Sequence, residues 1–243
     1  MPACGGGLEE REEPTCEVRV SFHSGLPLRW HGSLPAIPAP RGWLFRCSKR
    51  GLDIAVSACA LVVLSAPLLF VAAVIKMTSR GPILFTQRRV GFMNRPFTIL
   101  KFRTLRFEQA DPSGVAQTRP NDARLTRVGA ILRRTSIDEL PQLLNVLAGD
   151  MSLVGPRPHV EGMLAAGMDY RELVPGYDLR HLVKPGLTGW AQAHGFRGPT
   201  TSAEEAIARI HHNFAYVQAQ SLRLDLKILL MTARRQFLTG SGT

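Results

Sequence analysis

The chain has 243 residues, a hydrophobic fraction of 45% and a formal net charge of +11, with a pI near 10.4 and a mean hydropathy of +0.01. That length fits one catalytic domain with appendages and excludes two full domains. The positive excess points to negatively charged partners, whether phosphorylated substrates, anionic lipid or nucleic acid, and the four cysteines (Cys4, Cys16, Cys47, Cys59) form no CxxC pair on which a zinc or disulfide framework could be built.

Residues 1–42 differ from the rest. They hold a glycine run from Gly5 to Gly7, an acidic patch at Glu9, Glu10, Glu12 and Glu13, and scattered prolines from Pro27 to Pro40. No basic stretch followed by an apolar core is present, so the segment reads as a weakly ordered extension and not as a secretory signal.

Residues 43–78 read as a juxtamembrane and membrane helix. From Ile54 to Ile75 there is no charged side chain, and as one straight helix the run would reach roughly 33 Å, enough to cross a bilayer core. Pro67, preceded by Ser65 and Ala66, removes a helix hydrogen bond near the middle and kinks the axis. Positive charge flanks both ends: Arg41, Arg46, Lys49 and Arg50 before, Lys76, Arg80, Arg88 and Arg89 after. A bent helix entering and leaving through one leaflet keeps both basic flanks on one face, whereas a spanning helix strands one set outside. The residues leave both arrangements open, with a buried soluble helix as a third. Asp53, at the entrance, is expected to pair with Lys49 or Arg50.

Residues 79–243 read as a small α/β domain, mostly α. Gly81-Pro82 marks a turn. Ile83 to Thr86 and Phe97 to Phe102 read as strands joined by a loop holding Gly91 and Asn94, and Asp111 to Gly114 as another turn. Leu125 to Leu132 is helical by its Leu125, Val128, Ile131 and Leu132 stripe. Leu140, Leu143, Leu144 and Leu147 give the next helix a narrow apolar face. Its start is ambiguous: Ser136 with Glu139 matches a capping box, while a start at Asp138 leaves Pro141 in the first turn, where proline is tolerated. Two amphipathic helices close the chain, Ala203 to Val217 and Leu222 to Phe237. The second sets Leu222, Leu226, Leu229 and Leu230 against Arg223, Lys227, Arg234 and Arg235, and either a membrane surface or the domain core could receive it.

The middle of the chain supplies cations that could neutralise a diphosphate: Lys101, Arg103, Arg124, Arg127, Arg133, Arg134 and Arg157. Arg157 stands between Pro156 and Pro158, which restrict its backbone. There is neither a Walker A sequence nor GxGxxG. Asp138 and Glu139 point about 100° apart if helical, so a division of labour is natural. One carboxylate can attack phosphorus and the other can hold Mg²⁺, although adjacent acids at a helix start are more often caps.

Several ordered motifs resemble the bacterial sugar transferases, the monotopic polyprenyl-phosphate phosphoglycosyltransferases. They are Lys101-Phe102-Arg103-Thr104, Thr135 to Gln142 around Ile137-Asp138-Glu139-Leu140-Pro141, Gly149 to Pro158 ending in Gly155-Pro156-Arg157-Pro158, and Lys184 to Gln192 with Gly186-Leu187-Thr188-Gly189-Trp190. The resemblance runs roughly from Cys47 to Thr232. It implies a re-entrant helix broken at Ser65 and Pro67, and a catalytic domain on the cytoplasmic face of the bacterial inner membrane. It further implies a ping-pong reaction in which Asp138 attacks the β-phosphate of a UDP-sugar, releases UMP, and passes the sugar phosphate to undecaprenyl phosphate. Glu139 matches the second acid and, by this likeness, a Mg²⁺ ligand; Lys101, Arg103, Arg133 and Arg157 match the basic positions that hold phosphates. Arg197-Gly198 with Thr200 resembles the branch that begins exopolysaccharide or capsule units with a hexose-1-phosphate. Two positions depart from the pattern: Ala66 separates Ser65 from Pro67, and Asn213 stands where relatives often carry aspartate.

Competing readings are a non-catalytic, membrane-anchored basic scaffold for polysaccharide machinery and an anchored nucleic-acid binder. The second has only net charge in its favour, so no nucleic-acid partner is expected. Inner-membrane lipid is an expected partner, and self-association into a homo-oligomer stays open. Trp190 reads as a packing anchor, and His211 and His212 lack a third metal ligand.

Overall fold

The computed structural model describes residues 37, 39, 41–107, 122–200 and 202–239. Most of the N-terminal extension and the turn expected at Asp111 to Gly114 lie outside the described residues. The rest is mostly helical, with short strands in three two-stranded sheets.

Helices α1 (Trp43–Val63) and α2 (Ser65–Thr78) meet at Leu64 with a bend of 63°. The bend falls where the sequence places it. Pro67, in the first turn of α2, has no N–H to offer the carbonyl four residues back. Ser65 Oγ donates instead to the Val62 carbonyl at 2.8 Å, and helical bonding resumes with Leu68 N–H on Leu64 O at 2.9 Å. Among the described residues no single helix is long and apolar enough to cross a membrane; the bent pair together is, by length and composition. Val62, Val63, Leu69 and Phe70 around the bend are each at least 70% exposed. They form an apolar knuckle that water does not favour.

The other ends of both helices dock on the domain. Asp53 is buried and accepts from Ser152 Oγ at 3.1 Å and Leu153 N–H at 3.0 Å. It does not form the expected pair with Lys49 or Arg50, whose side chains go to partners elsewhere in the domain. Lys49 reaches Asp225 at 2.6 Å. Arg50 donates to the carbonyls of Val146 at 2.5 Å and Leu147 at 2.7 Å. On the α2 side, Ile75 packs with Phe102 and Leu132.

Strands β1 (Leu84–Val90) and β2 (Pro96–Phe102) form an antiparallel hairpin in which Gln87 faces Ile99. Its tip is a 3-10 turn, Phe92–Asn94, with Met93 and Asn94 at positive φ (53° and 59°). The first strand runs four residues beyond the expected Thr86, because Gln87 and Arg89 turn inward while the ladder to β2 continues. Helix α3 (Arg127–Thr135) starts two residues later than its apolar stripe, since Leu125 bridges to Leu105 and Thr126 caps the helix by accepting from Gly129 N–H at 2.8 Å.

Ser136 ends α3 in the left-handed region (φ 57°), and a single 3-10 turn, Ile137–Glu139, precedes α4 (Gln142–Ala148). Of the two starts the sequence left open, the capping box does not form: Ser136 is left-handed and its side chain makes no cap hydrogen bond, and Asp138 and Glu139 sit on the turn, with Pro141 at the α4 N-cap.

Beyond α4 come β3 (Ser152–Val154), a hairpin of β4 (Leu164–Ala165) and β5 (Met168–Asp169), α5 (Tyr170–Leu173), a 3-10 turn (Tyr177–Leu182), β6 (Gly186–Thr188) and α6 (Trp190–Ala193). Then α7 (Ala203–Ala219) and α8 (Leu222–Thr239) close the chain. Strands β3 and β6 pair in parallel. Val146, Met151, Val154 and Ile228 lie in the main core, with Trp190 packed against it. Helix α8 turns Asp225 and Ile228 inward and leaves Leu226 and Leu230 more than half exposed, so its buried face is not the leucine stripe read from sequence. Lys49 and Tyr216, both bonded to Asp225, set that rotation.

The β3–β6 crossing explains two glycines. A Cβ on Gly186 would lie 2.1 Å from Gly155 N, and one on Gly155 would lie 2.3 Å from Lys184 O. Both contacts are backbone, so neither can yield cheaply. Gly186→Ala is therefore expected to destabilise the fold by about 1–3 kcal/mol, seen as a lower Tm in a detergent-solubilised thermal melt.

Candidate active site

Three elements bring charge to the turn that carries the two acids. Strand β2 supplies Lys101, whose Nζ donates to Glu139 Oε1 at 2.8 Å. The loop after β3 supplies Arg157, which grips Glu139 with both arms, NH2 to Oε1 at 2.5 Å and NH1 to Oε2 at 3.0 Å. Helix α3 supplies Arg133, oriented by donation from its Nε to Thr104 Oγ1 at 2.9 Å, and lying within electrostatic range of Asp138.

The two adjacent carboxylates are treated differently. Burial alone would push Glu139 up, but Arg157 and Lys101 outweigh it and hold its pKa well below the usual carboxylate range. Asp138 is 7% exposed, and its carboxylate takes no hydrogen bond or ion pair among the described residues. Burial, reinforced by the negative charge of Glu139, raises it to about 6, against the pull of Lys101, Arg133 and Arg157. Glu139 takes the direct cationic contacts, and the Asp138 carboxylate has none among the described residues.

Of the residues expected from the sequence, Lys101, Arg133, Arg157, Asp138 and Glu139 come together. Arg103 does not. Its buried guanidinium donates to Arg80 O, and to Ser79 O and Ser79 Oγ, each at 3.0 Å, so it clamps the end of α2. Lys101 lies within β2, whereas Arg103 is one residue past the strand's end at Phe102, where the Ser79 and Arg80 carbonyls take its guanidinium. Arg124 bonds Asp122, and Arg127 and Arg134 are exposed.

Two further cations were not singled out for this site. Arg89 is drawn down to about 10 by burial and by the nearby charge of Arg157, and is opposed by Glu139. Arg197 is lowered by burial and then by Arg157, and again Glu139 opposes the shift. Arg89 could have been found from the alternation along β1, which puts it on the same face as buried Gln87. Arg197 stood out only in the Arg197-Gly198 motif, with no sign that it reaches these acids; α6 and the turn after it place it, and its NH1 donates to Gln236 at 3.2 Å.

Among the described residues no group of three or more His, Cys, Asp or Glu could hold a metal ion. An ionised carboxylate offers about four lone-pair sites, and three of those on Glu139 are in use, which leaves one on Oε2. A hard cation that draws its other ligands from phosphate oxygens fits that residue. His212 bonds the Ala208 carbonyl at 2.8 Å, and its ring packs on Phe196.

A family model described as bacterial sugar transferase matches residues 44–239. The exopolysaccharide production protein PSS of Rhizobium leguminosarum bv. phaseoli is 52% identical over 194 residues, covering 80% of this chain and 97% of that protein. A UDP-glucose:undecaprenyl-phosphate glucose-1-phosphate transferase of Caulobacter vibrioides is 49% identical over 208 residues, covering 85% of this chain and 74% of that protein. A protein of the same name from Escherichia coli (strain K12) is 40% identical over 224 residues; the match takes in 92% of this chain but only 46% of that longer protein.

The raised Asp138 pKa is also a statement about stability. A carboxyl ordinarily near 3.8 but near 6 in the folded chain penalises folding above pH 6 and not at all below pH 4. Asp138→Asn, neutral at every pH, is therefore expected to raise stability at pH 7.5 by about 1–3 kcal/mol. Thermal melts across pH should show that gain shrink as pH falls from 6 to 4.

Proposed function

The chain belongs to the bacterial sugar transferase family, and from that premise we propose that it transfers a sugar-1-phosphate from a UDP-sugar to undecaprenyl phosphate, releasing UMP, as an opening membrane step of exopolysaccharide synthesis. The observation that carries this reading is the asymmetry of the acid pair: Glu139 is held by Lys101 and Arg157, and Asp138 is buried, unpaired and flanked by the same cations. The names of the relatives supply the two substrates.

In this reading Lys101, Arg133 and Arg157 offset the charge of the donor's diphosphate, which otherwise repels an anionic nucleophile. An Asp138 oxygen forms a bond to the β-phosphorus as the bond to the bridging oxygen breaks, and UMP leaves with the electron pair. The sugar phosphate is now esterified to Asp138. A phosphate oxygen of the acceptor then attacks the same phosphorus, the acyl-phosphate bond breaks, and Asp138 returns to a carboxylate. Glu139, with phosphate oxygens of the substrate, would hold Mg²⁺, which supplies charge neutralisation when bound. Burial keeps water from intercepting the intermediate.

The apolar knuckle around Leu64 supports insertion into the inner-membrane leaflet, with the bend returning the chain to the face it came from and the catalytic residues on the cytoplasmic side. Both ends of the bent pair dock on one domain through Lys49, Arg50, Asp53 and Ile75, a geometry that a straight spanning helix lacks.

Membranes containing the protein, given Mg²⁺, undecaprenyl phosphate and a panel of UDP-sugars, are expected to release UMP from at least one donor. Asp138→Asn should lower that rate by at least about 10³-fold. The value of kcat/KM should fall on the acid side of about pH 6, as Asp138 takes up its proton. Wild-type protein that releases no UMP from any donor would return the scaffold reading. For topology, single cysteines at positions 45 and 80 in a cysteine-free variant should both be protected from impermeant reagents outside the cell; labelling of one alone would establish a spanning helix.

A further inference from the structure

Arg157 lies between two prolines, neither of which has an amide hydrogen with which to anchor the segment. The segment is held by its carbonyls instead. Gly186 N–H donates to Pro156 O at 3.0 Å, Arg180 donates through NH2 to Arg157 O, Arg89 donates through NH1 to Pro158 O at 3.3 Å, and Val90 N–H donates to His159 O at 2.9 Å. Four consecutive carbonyls are each met by a donor: one from β6, one from the 3-10 turn Tyr177–Leu182 and two from the end of β1.

Arg180 is the costly member of this set. It is 1% exposed, and among the described residues no carboxylate pairs with it. A buried guanidinium without an acidic partner is unfavourable, so a plain packing role is better filled by an apolar side chain. What an apolar side chain cannot do is donate in two directions at once. NH2 of Arg180 takes the Arg157 carbonyl, and NH1 reaches Tyr177 OH at 2.9 Å and His159 Nδ1 at 2.7 Å. Since arginine can only donate, His159 Nδ1 must accept, and its ring proton sits on Nε2. Burial, with Arg180 adding to it, keeps that imidazole neutral by holding its pKa well below the ordinary value. The Tyr177 ring lies under the guanidinium, 5.1 Å from its central carbon.

We propose that Arg180 is a positioning residue for the transfer reaction: through the Arg157 carbonyl it fixes the main chain that aims the Arg157 guanidinium at Glu139 and at the donor's phosphates, and Tyr177 and His159 fix Arg180 in turn. The inference rests on the transferase reading above. It adds a residue that touches neither substrate nor reacting atoms and acts on both through Arg157. A displacement of a phosphate-binding group by about 1 Å can cost on the order of 10²-fold in rate.

The test is a double-mutant cycle read as the single-turnover rate of UMP release. Wild type, Arg180→Lys, Arg157→Lys and the double variant are compared, with thermal melts confirming that each is folded. Arg180→Lys keeps the charge but loses the second donor arm, and a loss of about 10–100-fold is expected. If Arg180 acts through Arg157, the double variant falls no more than about threefold below the slower single variant. Losses that multiply, or an Arg180→Lys variant as fast as wild type, overturn the proposal. If Arg180→Lys does not fold, Tyr177→Phe, which keeps the ring and removes only the hydroxyl, replaces it in the same cycle with a smaller expected loss and the same requirement of non-additivity. An inert wild type would instead count against the transferase reading itself, so the two failures are distinguishable.

Discussion

Two carboxylates on consecutive residues repel each other, and taking both out of water is tolerable only when cations neutralise at least one of them. The chain meets this constraint by giving nearly all of its cationic compensation to Glu139, through a bidentate arginine and a lysine. Asp138 keeps its burial and a raised pKa, and among the described residues its carboxylate has no partner. The same arrangement makes Asp138 costly to fold and leaves its carboxylate uncovered, and the neighbouring positive charge pulls its pKa back toward the ordinary range. In the proposed reaction, stability and reactivity are opposed at this one side chain.

The rest of the structure delivers cations to that turn from the adjoining helix and from strands before and after it in sequence. Strand β2 brings Lys101 and helix α3 brings Arg133, while the crossing of β3 and β6 brings Arg157. The crossing works because Gly155 and Gly186 have no side chains, so two backbones approach closer than any Cβ permits. The proline-flanked segment that follows has little freedom, and its carbonyls are held by surrounding donors. The result is a guanidinium whose direction is set by main chain as well as by side-chain rotamers.

The bent helix pair is part of the same machine. Asp53 on α1 accepts from β3 itself, and Lys49 ties α1 to Asp225 of α8, which also receives Tyr216. Arg103, one strand position past Phe102, holds the far end of α2. An apolar knuckle and the candidate site are therefore connected through a few polar contacts.

The sequence alone determined the elements whose signals are local. An uncharged run with a central proline marked a broken helix, and the break fell at Leu64, just before Ser65 and Pro67. The two closing helices and the second hairpin strand followed from periodicity, and the acid pair with its basic neighbours could be read off as motifs. Only the tertiary structure decided the matters that depend on distant partners. A left-handed Ser136 moved Asp138 and Glu139 from a helix start to a turn, and a hydroxyl and a backbone N–H on β3 took Asp53 in place of Lys49 or Arg50. Asp225 rotated α8 so that Leu226 and Leu230 faced outward. Arg103 went to the end of α2, while Arg89, Arg197 and Arg180 entered the surroundings of Arg157. Charge and period are properties of neighbouring residues, and chain order records them; the direction of a long cationic side chain is chosen by whichever acceptor folding brings within about 3 Å, and chain order does not contain that information.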